Sequence, residues 1–263
     1  MGNTKDTSAV RHGWLHALGR ADLPAQVRIG FETFRHVRTF KHDFFAATAQ
    51  YAAESDGRPI VLKIGRRVSL WGLPTAWIGR YLSRREGRLY ELLQGIEGIP
   101  AFTGYWESTG LAHAYVDGAP LARDVAVDDA FFPRLSAILD AIHQRGAAYV
   151  DLEKRENVLL GMDGRPYLID FQISLHLRPD RGGRIPPLRW LLRVLQSSDR
   201  YHLLKHWRRM RPDQLTAEQV AQSYRPPFWI SWHRVLFRPL TLLRRWVLVR
   251  LGERRSTRVR SPG

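Results

Sequence analysis

Hydrophobic side chains change their period along this chain, and that change constrains its fold more than any other feature. Phe40, His42 and Phe44, then Ala47, Ala49 and Tyr51, alternate with their neighbours, as in a hairpin of half-buried strands. Ser55-Asp56-Gly57-Arg58-Pro59 is a turn cluster, and Ile60-Val61-Leu62-Lys63-Ile64 reads as the next strand. Residues 76–93 read as a helix ending near Gly95, and Gly98-Ile99-Pro100 breaks the chain before the strand-like stretches Phe102–Trp106 and Ala112–Val116. Residues 132–144 form the clearest amphipathic helix, with Leu135, Ile138, Leu139 and Ile142 at i, i+3, i+4 and i+7. Val158-Leu159-Leu160, the turn Gly161-Met162-Asp163-Gly164 and Tyr167-Leu168-Ile169 read as a tight hairpin. Beyond it the pattern is mostly helical, interrupted at Ile185-Pro186-Pro187 and Arg225-Pro226-Pro227. Strands, a helix, more strands and a helical second half predict an α+β fold of two lobes.

At 263 residues, 44% hydrophobic and 11% aromatic, the chain can bury a sizeable core. It has no cysteine, which excludes a disulfide framework and a thiolate zinc site and fits a reducing compartment. The longest apolar stretch, Val68 to Gly79, contains Pro74 and falls short of the roughly 18 residues of a membrane-spanning helix. The N-terminus lacks the apolar core of a secretory signal, and Asp6 stands where the myristoylation pattern needs Ser or Thr. These features predict a cytoplasmic protein that does not span a membrane. The ten histidines show no HExxH pattern; His202 and His206 share an i, i+4 spacing but have no acidic companion, so they read as packing or surface residues.

Five short elements follow one another in a telling order. Ile60-Val61-Leu62-Lys63 ends a strand in a lysine, and Arg84-Arg85-Glu86-Gly87-Arg88-Leu89 puts Glu86 on the following helix. Next come Ala114-Tyr115-Val116-Asp117-Gly118-Ala119-Pro120-Leu121 and Tyr149-Val150-Asp151-Leu152-Glu153-Lys154-Arg155-Glu156-Asn157, and finally Asp170-Phe171-Gln172 after the strand Tyr167-Leu168-Ile169. From about Arg38 to Ser174 this series resembles the protein-kinase-like superfamily, in particular its compact members: lipopolysaccharide core-sugar kinases, RIO-type kinases and aminoglycoside phosphotransferases.

The resemblance implies an ATP- and Mg²⁺-dependent phosphotransferase with a β-rich N-lobe over residues 38–112 and a mostly helical C-lobe over 113–227. Residues 1–37 form a helical or irregular extension in this reading, and 228–263 a basic amphipathic tail. Lys63 clamps the nucleotide phosphates and Glu86 holds that lysine, while Tyr115 lies in the interlobe hinge beside the nucleotide. Asp170 and Asn157 ligate magnesium through oxygen, with Glu156 the fallback for Asn157. Asp151 accepts the proton of the acceptor hydroxyl, Lys154 faces the γ-phosphate, and His143 is a structural histidine ahead of the loop.

Four departures stand out. The glycine-rich loop is replaced by Lys41-His42-Asp43-Phe44-Phe45, where backbone amides are still expected to reach the phosphates. Tyr149 replaces a histidine, Asn157 follows Asp151 by six residues instead of five, and Gln172 replaces a glycine. None removes a charged catalytic group, so an active enzyme is expected. No Ala-Pro-Glu signal follows Asp170, which points away from ordinary eukaryotic-type protein kinases.

The net charge of +16 is divided unevenly. Residues 1–177 hold 21 Lys/Arg against 20 Asp/Glu, and residues 178–263 hold 20 against 5. So one-sided a charge suggests an anionic partner. In the tail Trp229, Trp232 and Trp246 stand among leucines and arginines, the make-up of an interfacial helix on anionic lipid. The other reading is a helix packed on the C-lobe with its arginines in water. The favoured acceptor is a hydroxyl of a lipid-linked sugar, of lipopolysaccharide type, or a similar anionic molecule, met at the inner face of a membrane. The alternatives are an atypical Ser/Thr protein kinase, and an inactive kinase-like module that binds membrane, protein or, less readily, nucleic acid.

Overall fold

The computed structural model describes residues 16–19, 21–68, 76–122, 124–178 and 185–225. Residues 1–224 form one compact unit and 225–263 a second. The tail expected over 228–263 lies outside the described residues.

In chain order the elements are β1 (Gln26–Ile29), β2 (Glu32–His42), β3 (Ala46–Ala53), β4 (Pro59–Gly65), α1 (Ala76–Leu93), β5 (Phe102–Trp106), β6 (Gly110–Ala114), β7 (Gly118–Pro120), α2 (Phe131–Gln144), β8 (Ala147–Ala148), β9 (Val158–Gly161), β10 (Pro166–Leu168), β11 (Leu175–His176), α3 (Pro186–Met210) and α4 (Ala217–Tyr224). β1 to β6 make one antiparallel sheet in the order β1-β2-β3-β4-β6-β5. The sheet curls until its edges approach: a Cβ added at Gly104 of β5 would stand 2.8 Å from Ile29 Cγ2 of β1. Inside the curl, Val27, Ile29, Phe34, Tyr51, Ile60, Leu62 and Ile64 share one buried cluster.

Alternation along β4 places the chemistry. Ile60, Leu62 and Ile64 belong to that cluster, so the pleat turns Lys63 to the opposite face, towards α1. Helix α1 comes close because its sheet side carries Gly79, Ser83 and Gly87, spaced four apart and all buried. A Cβ at Gly79 would lie 2.2 Å from the Arg66 carbonyl oxygen, and one at Gly87 2.4 Å from the Tyr105 ring. A second cluster joins Leu89, Tyr90 and Leu93 of α1 to Phe131, Leu135, Ile138 and Leu139 of α2 and to Tyr149, Leu152 and Phe171. The smaller sheets, β10-β9-β7 and β11-β8, lie on the α2 and α3 side of the chain.

The α+β two-lobed layout is therefore present, with two corrections to its boundaries. Residues 26–37 are strand-forming and not a helical or irregular extension: β1 and the start of β2 lie there. Between residues 21 and 45 only Val27, Ile29 and Phe34 are buried, on both sides of the turn at Gly30 (φ +61°). So short an alternation is easily hidden among charged residues. The sheet also ends at Ala114 and not at 112, because β6 runs from Gly110 to Ala114 with Ile60 opposite Ala114.

Candidate active site

Lys63 is the centre of an ion cluster drawn from three elements. Its Nζ lies 2.9 Å from Glu86 Oε2 on α1 and 2.8 Å from Asp170 Oδ1, just beyond β10. Burial alone would lower the Lys63 pKa, but the two carboxylates outweigh it and raise it, so the ammonium stays charged. Burial pushes the Glu86 carboxyl up against the pull of Lys63. Asp170 is also penalised by burial, yet Lys63 prevails and holds it below the usual carboxylate range. Two carboxylates share one cation here, an excess of negative charge suited to a divalent ion. Asp170 adopts φ +63°, a left-handed conformation uncommon outside glycine, which turns its side chain back to Lys63.

Asp151 is buried to 8% exposure and receives Lys154 Nζ at 2.7 Å and Asn157 Nδ2 at 2.8 Å. Both bonds fall on Oδ2, so Oδ1 carries no side-chain bond among the described residues. The extra loop residue is absorbed by a 3-10 turn over Arg155–Asn157, which buries Asn157 and leaves Glu156 exposed. Of the two candidates, Asn157 is thus the one turned inward. Asp170 Oδ2 and Asn157 Oδ1, left over by their bonds to Lys63 and Asp151, are oxygen donors of the kind a hard cation takes. Among the described residues no group of three or more His, Cys, Asp or Glu forms a metal cluster. A magnesium ion here would draw the rest of its oxygen shell from nucleotide and water.

Asp199, in the middle of α3, has no exposed surface and holds the loop from behind. Its carboxylate accepts the N–H groups of Tyr149 (2.8 Å) and Val150 (2.7 Å) and faces His143 Nε2 at 3.0 Å. These bonds fix Val150 at φ +73°, immediately before Asp151. His206 adds a 2.7 Å bond from Nε2 to the Leu152 carbonyl. The sequence reading missed Asp199, although it is the one acidic residue between Pro186 and Met210. It sits three and seven residues before His202 and His206 on the buried stripe of α3. Tyr149 packs behind the loop: its hydroxyl donates to the Ile169 carbonyl, and its ring meets Phe171 edge-on at 5.2 Å.

Two expectations change at the mouth of the site. In the turn between β2 and β3, Asp43 Oδ1 accepts the N–H groups of Phe45 (2.9 Å) and Ala46 (3.0 Å), and Asp43 N–H donates to Ala46 O. Those amides cannot also bind phosphates, and a carboxylate stands among them. Arg66 braces the turn further, with its guanidinium 4.1 Å over the Phe44 ring and a 3.0 Å bond to Phe44 O. Tyr115 follows β6, but its N–H donates to Pro59 O at 3.2 Å and is not available to a base. Its ring stands parallel to Phe40 at 6.3 Å, and Arg38 donates to its hydroxyl at 2.9 Å.

No family model and no curated protein matches the chain. Among solved structures it is similar to the Rio2 kinase of Chaetomium thermophilum, solved as an ADP/Mg²⁺-phosphoaspartate complex, with a TM-score of 0.50 and 16% identity. The match covers 71% of this chain and 60% of that one, so the chain spans about three fifths of that kinase. With a curled antiparallel sheet, a helix that carries Glu86 to Lys63 and a helical second half, the chain has the protein-kinase-like fold.

Proposed function

We propose that the chain is an ATP- and Mg²⁺-dependent phosphotransferase whose acceptor is a hydroxyl of a lipid-linked sugar or a similar anionic molecule at a membrane surface. The single observation that carries the chemistry is Lys63 held between Glu86 and Asp170 at 2.8–2.9 Å. Lys63, kept charged and positioned by Glu86, binds the donor phosphates. Asp170 and Asn157 hold the magnesium ion, which supplies charge neutralisation at the phosphates when bound. Asp151, with Oδ1 uncommitted, holds the acceptor hydroxyl and takes its proton. Lys154, 2.7 Å from Asp151, keeps a positive charge where the transferred group becomes most negative. The acceptor class rests on the excess of 20 Lys/Arg over 5 Asp/Glu in residues 178–263 and on the tail's tryptophans.

One observation favours the inactive reading. Asp43 occupies the amides of the turn that lies over the donor phosphates in kinase-like folds, which weakens the cradle for ATP. Radiolabelled ATP incubated with the protein and separated lipid, glycan and protein fractions decides between them. Label in a lipid or glycan fraction is expected; label in protein alone favours a protein kinase, and none in any fraction favours the inactive module.

A further inference from the structure

A groove of about 720 Å³ runs between α1 and β11, and none of the Lys63 site's residues lines it. Arg80, Arg84, Arg85 and Arg88 of α1 form one wall, Ser174 and His176 form the other, and no Asp or Glu lines it. Arg80, Arg84 and Arg88 repeat every fourth residue, a spacing at which like charges face one another and repel. Elsewhere Arg35, Arg58, Arg67, Arg165 and Arg211 each meet a carboxylate. The four groove arginines meet none among the described residues. Two of them are nevertheless held in place. Arg84 lies 4.4 Å over the Tyr105 ring, and Arg85 donates to the Ser174 carbonyl at 2.6 Å.

Four guanidiniums, two of them pinned and none with a carboxylate partner among the described residues, make a receptor for a compact multivalent anion. Guanidinium forks match the oxygens of phosphate better than those of a singly charged anion. We propose that this groove binds a phosphate monoester. The occupant bridges α1 to β11, and both walls adjoin residues that position the Lys63 site and the Asp151 loop. Arg85 adjoins Glu86 in sequence, and the Ser174 hydroxyl donates to the Tyr149 carbonyl at 2.7 Å. The proposal concerns binding and stands whether or not the chain transfers phosphate.

Calorimetry on the full chain at fixed ionic strength tests it with two probes. Glycerol 3-phosphate represents a soluble monoester, and phosphatidylcholine vesicles containing phosphatidic acid represent a lipid headgroup. Binding of either probe that the groove variant below weakens supports the site and names its source, and binding of neither, or vesicle binding that this variant leaves unaltered, overturns it. The variant Arg80→Ala/Arg84→Ala/Arg88→Ala, all at exposed positions, is expected to weaken binding at least about tenfold, the scale of a lost charge-assisted bond. Arg84→Lys/Arg88→Lys keeps charge and fold and is expected to weaken it less. Lys63→Met, in the separate cleft, and Arg234→Ala/Arg238→Ala, in the tail, are expected to leave glycerol 3-phosphate binding unchanged. Unaltered affinity in the triple variant, or a loss confined to Lys63→Met or to the tail variant, overturns the proposal.

Discussion

At the scale of single residues, three acidic side chains of one type have been given three environments. Asp199 is fully buried and committed to backbone N–H groups, Asp170 faces Lys63, and Asp151 keeps one oxygen without a side-chain bond among the described residues. Their substitution should separate accordingly. Lys63→Met and Asp170→Asn are expected to weaken Mg²⁺–ATP binding at least about tenfold, or about 1.4 kcal/mol. Asp151→Asn should leave binding nearly intact and lower turnover about a hundredfold. Calorimetry beside single-turnover kinetics reads both, and wild-type behaviour in all three variants would place the chemistry elsewhere. Buried histidines make a second prediction. Burial lowers the pKa of His113 and of His206 to about 4. Unfolded histidines take up protons near pH 6.5, so between 6.5 and 4 the unfolded chain binds more protons and stability falls as pH falls. From pH 7 to pH 5 each is expected to cost about 2 kcal/mol. His42 and His176, also lowered by burial, act in the same direction. Urea unfolding at the two pH values, with His206→Gln to remove one contribution, measures this; equal stability at both would refute it.

Elements were legible in the sequence where one face of each is simply apolar. Helix α1 occupies the residues that its pattern predicts, 76–93, and α2 begins one residue earlier than expected, at Phe131. β4 and the β9–β10 hairpin follow the same logic. The order of Lys63, Glu86, Asp151 and Asp170 was legible because each lies on or just after a recognisable element. Asp199 was not, since a buried acid looks like a surface one until the N–H groups it serves are known. The capped turn at Asp43 was hidden for a similar reason: an aspartate that bonds amides two and three residues ahead leaves no pattern distinct from an ordinary turn. The small-residue side of α1 was also unread, and it makes a prediction of its own. Alanine for glycine inside a helix is normally favourable by about 0.5–1 kcal/mol. At Gly79 the new Cβ would meet the Arg66 carbonyl at 2.2 Å, so α1 must move off the sheet. Gly79→Ala should therefore destabilise the protein by about 1–3 kcal/mol and loosen nucleotide binding by shifting Glu86 from Lys63. A more stable variant with unchanged binding would show that the helix is free to adjust.

Over the whole molecule, charge is segregated in a way that the fold itself does not require. The part of the chain that contains the curled sheet and the Lys63 cluster is nearly neutral, with 21 Lys/Arg against 20 Asp/Glu in residues 1–177. Folding of that part needs no external counter-charge. The excess of cations follows the residues that carry Lys63, Asp151 and Asp170, and among the described residues no helix is long and apolar enough to cross a membrane. Adsorption to an anionic surface is the use of such an excess that a membrane-bound acceptor would need. Each Lys or Arg near such a surface contributes about 1 kcal/mol, and the attraction fades beyond a Debye length of about 8 Å at physiological salt. Tryptophan and leucine among the arginines would add a salt-insensitive part by burying apolar surface. The full chain should therefore sediment with anionic vesicles and not with neutral ones, and most of that binding should be lost as salt is raised. Removing residues 228–263 should abolish most of it while leaving nucleotide affinity in the cleft unchanged. Equal binding to neutral vesicles, or full binding after truncation, would remove the membrane from the proposed reaction. Tight salt-dependent binding to duplex DNA without vesicle binding would turn the basic third towards nucleic acid, because the same charge would then be releasing counterions from a phosphate backbone.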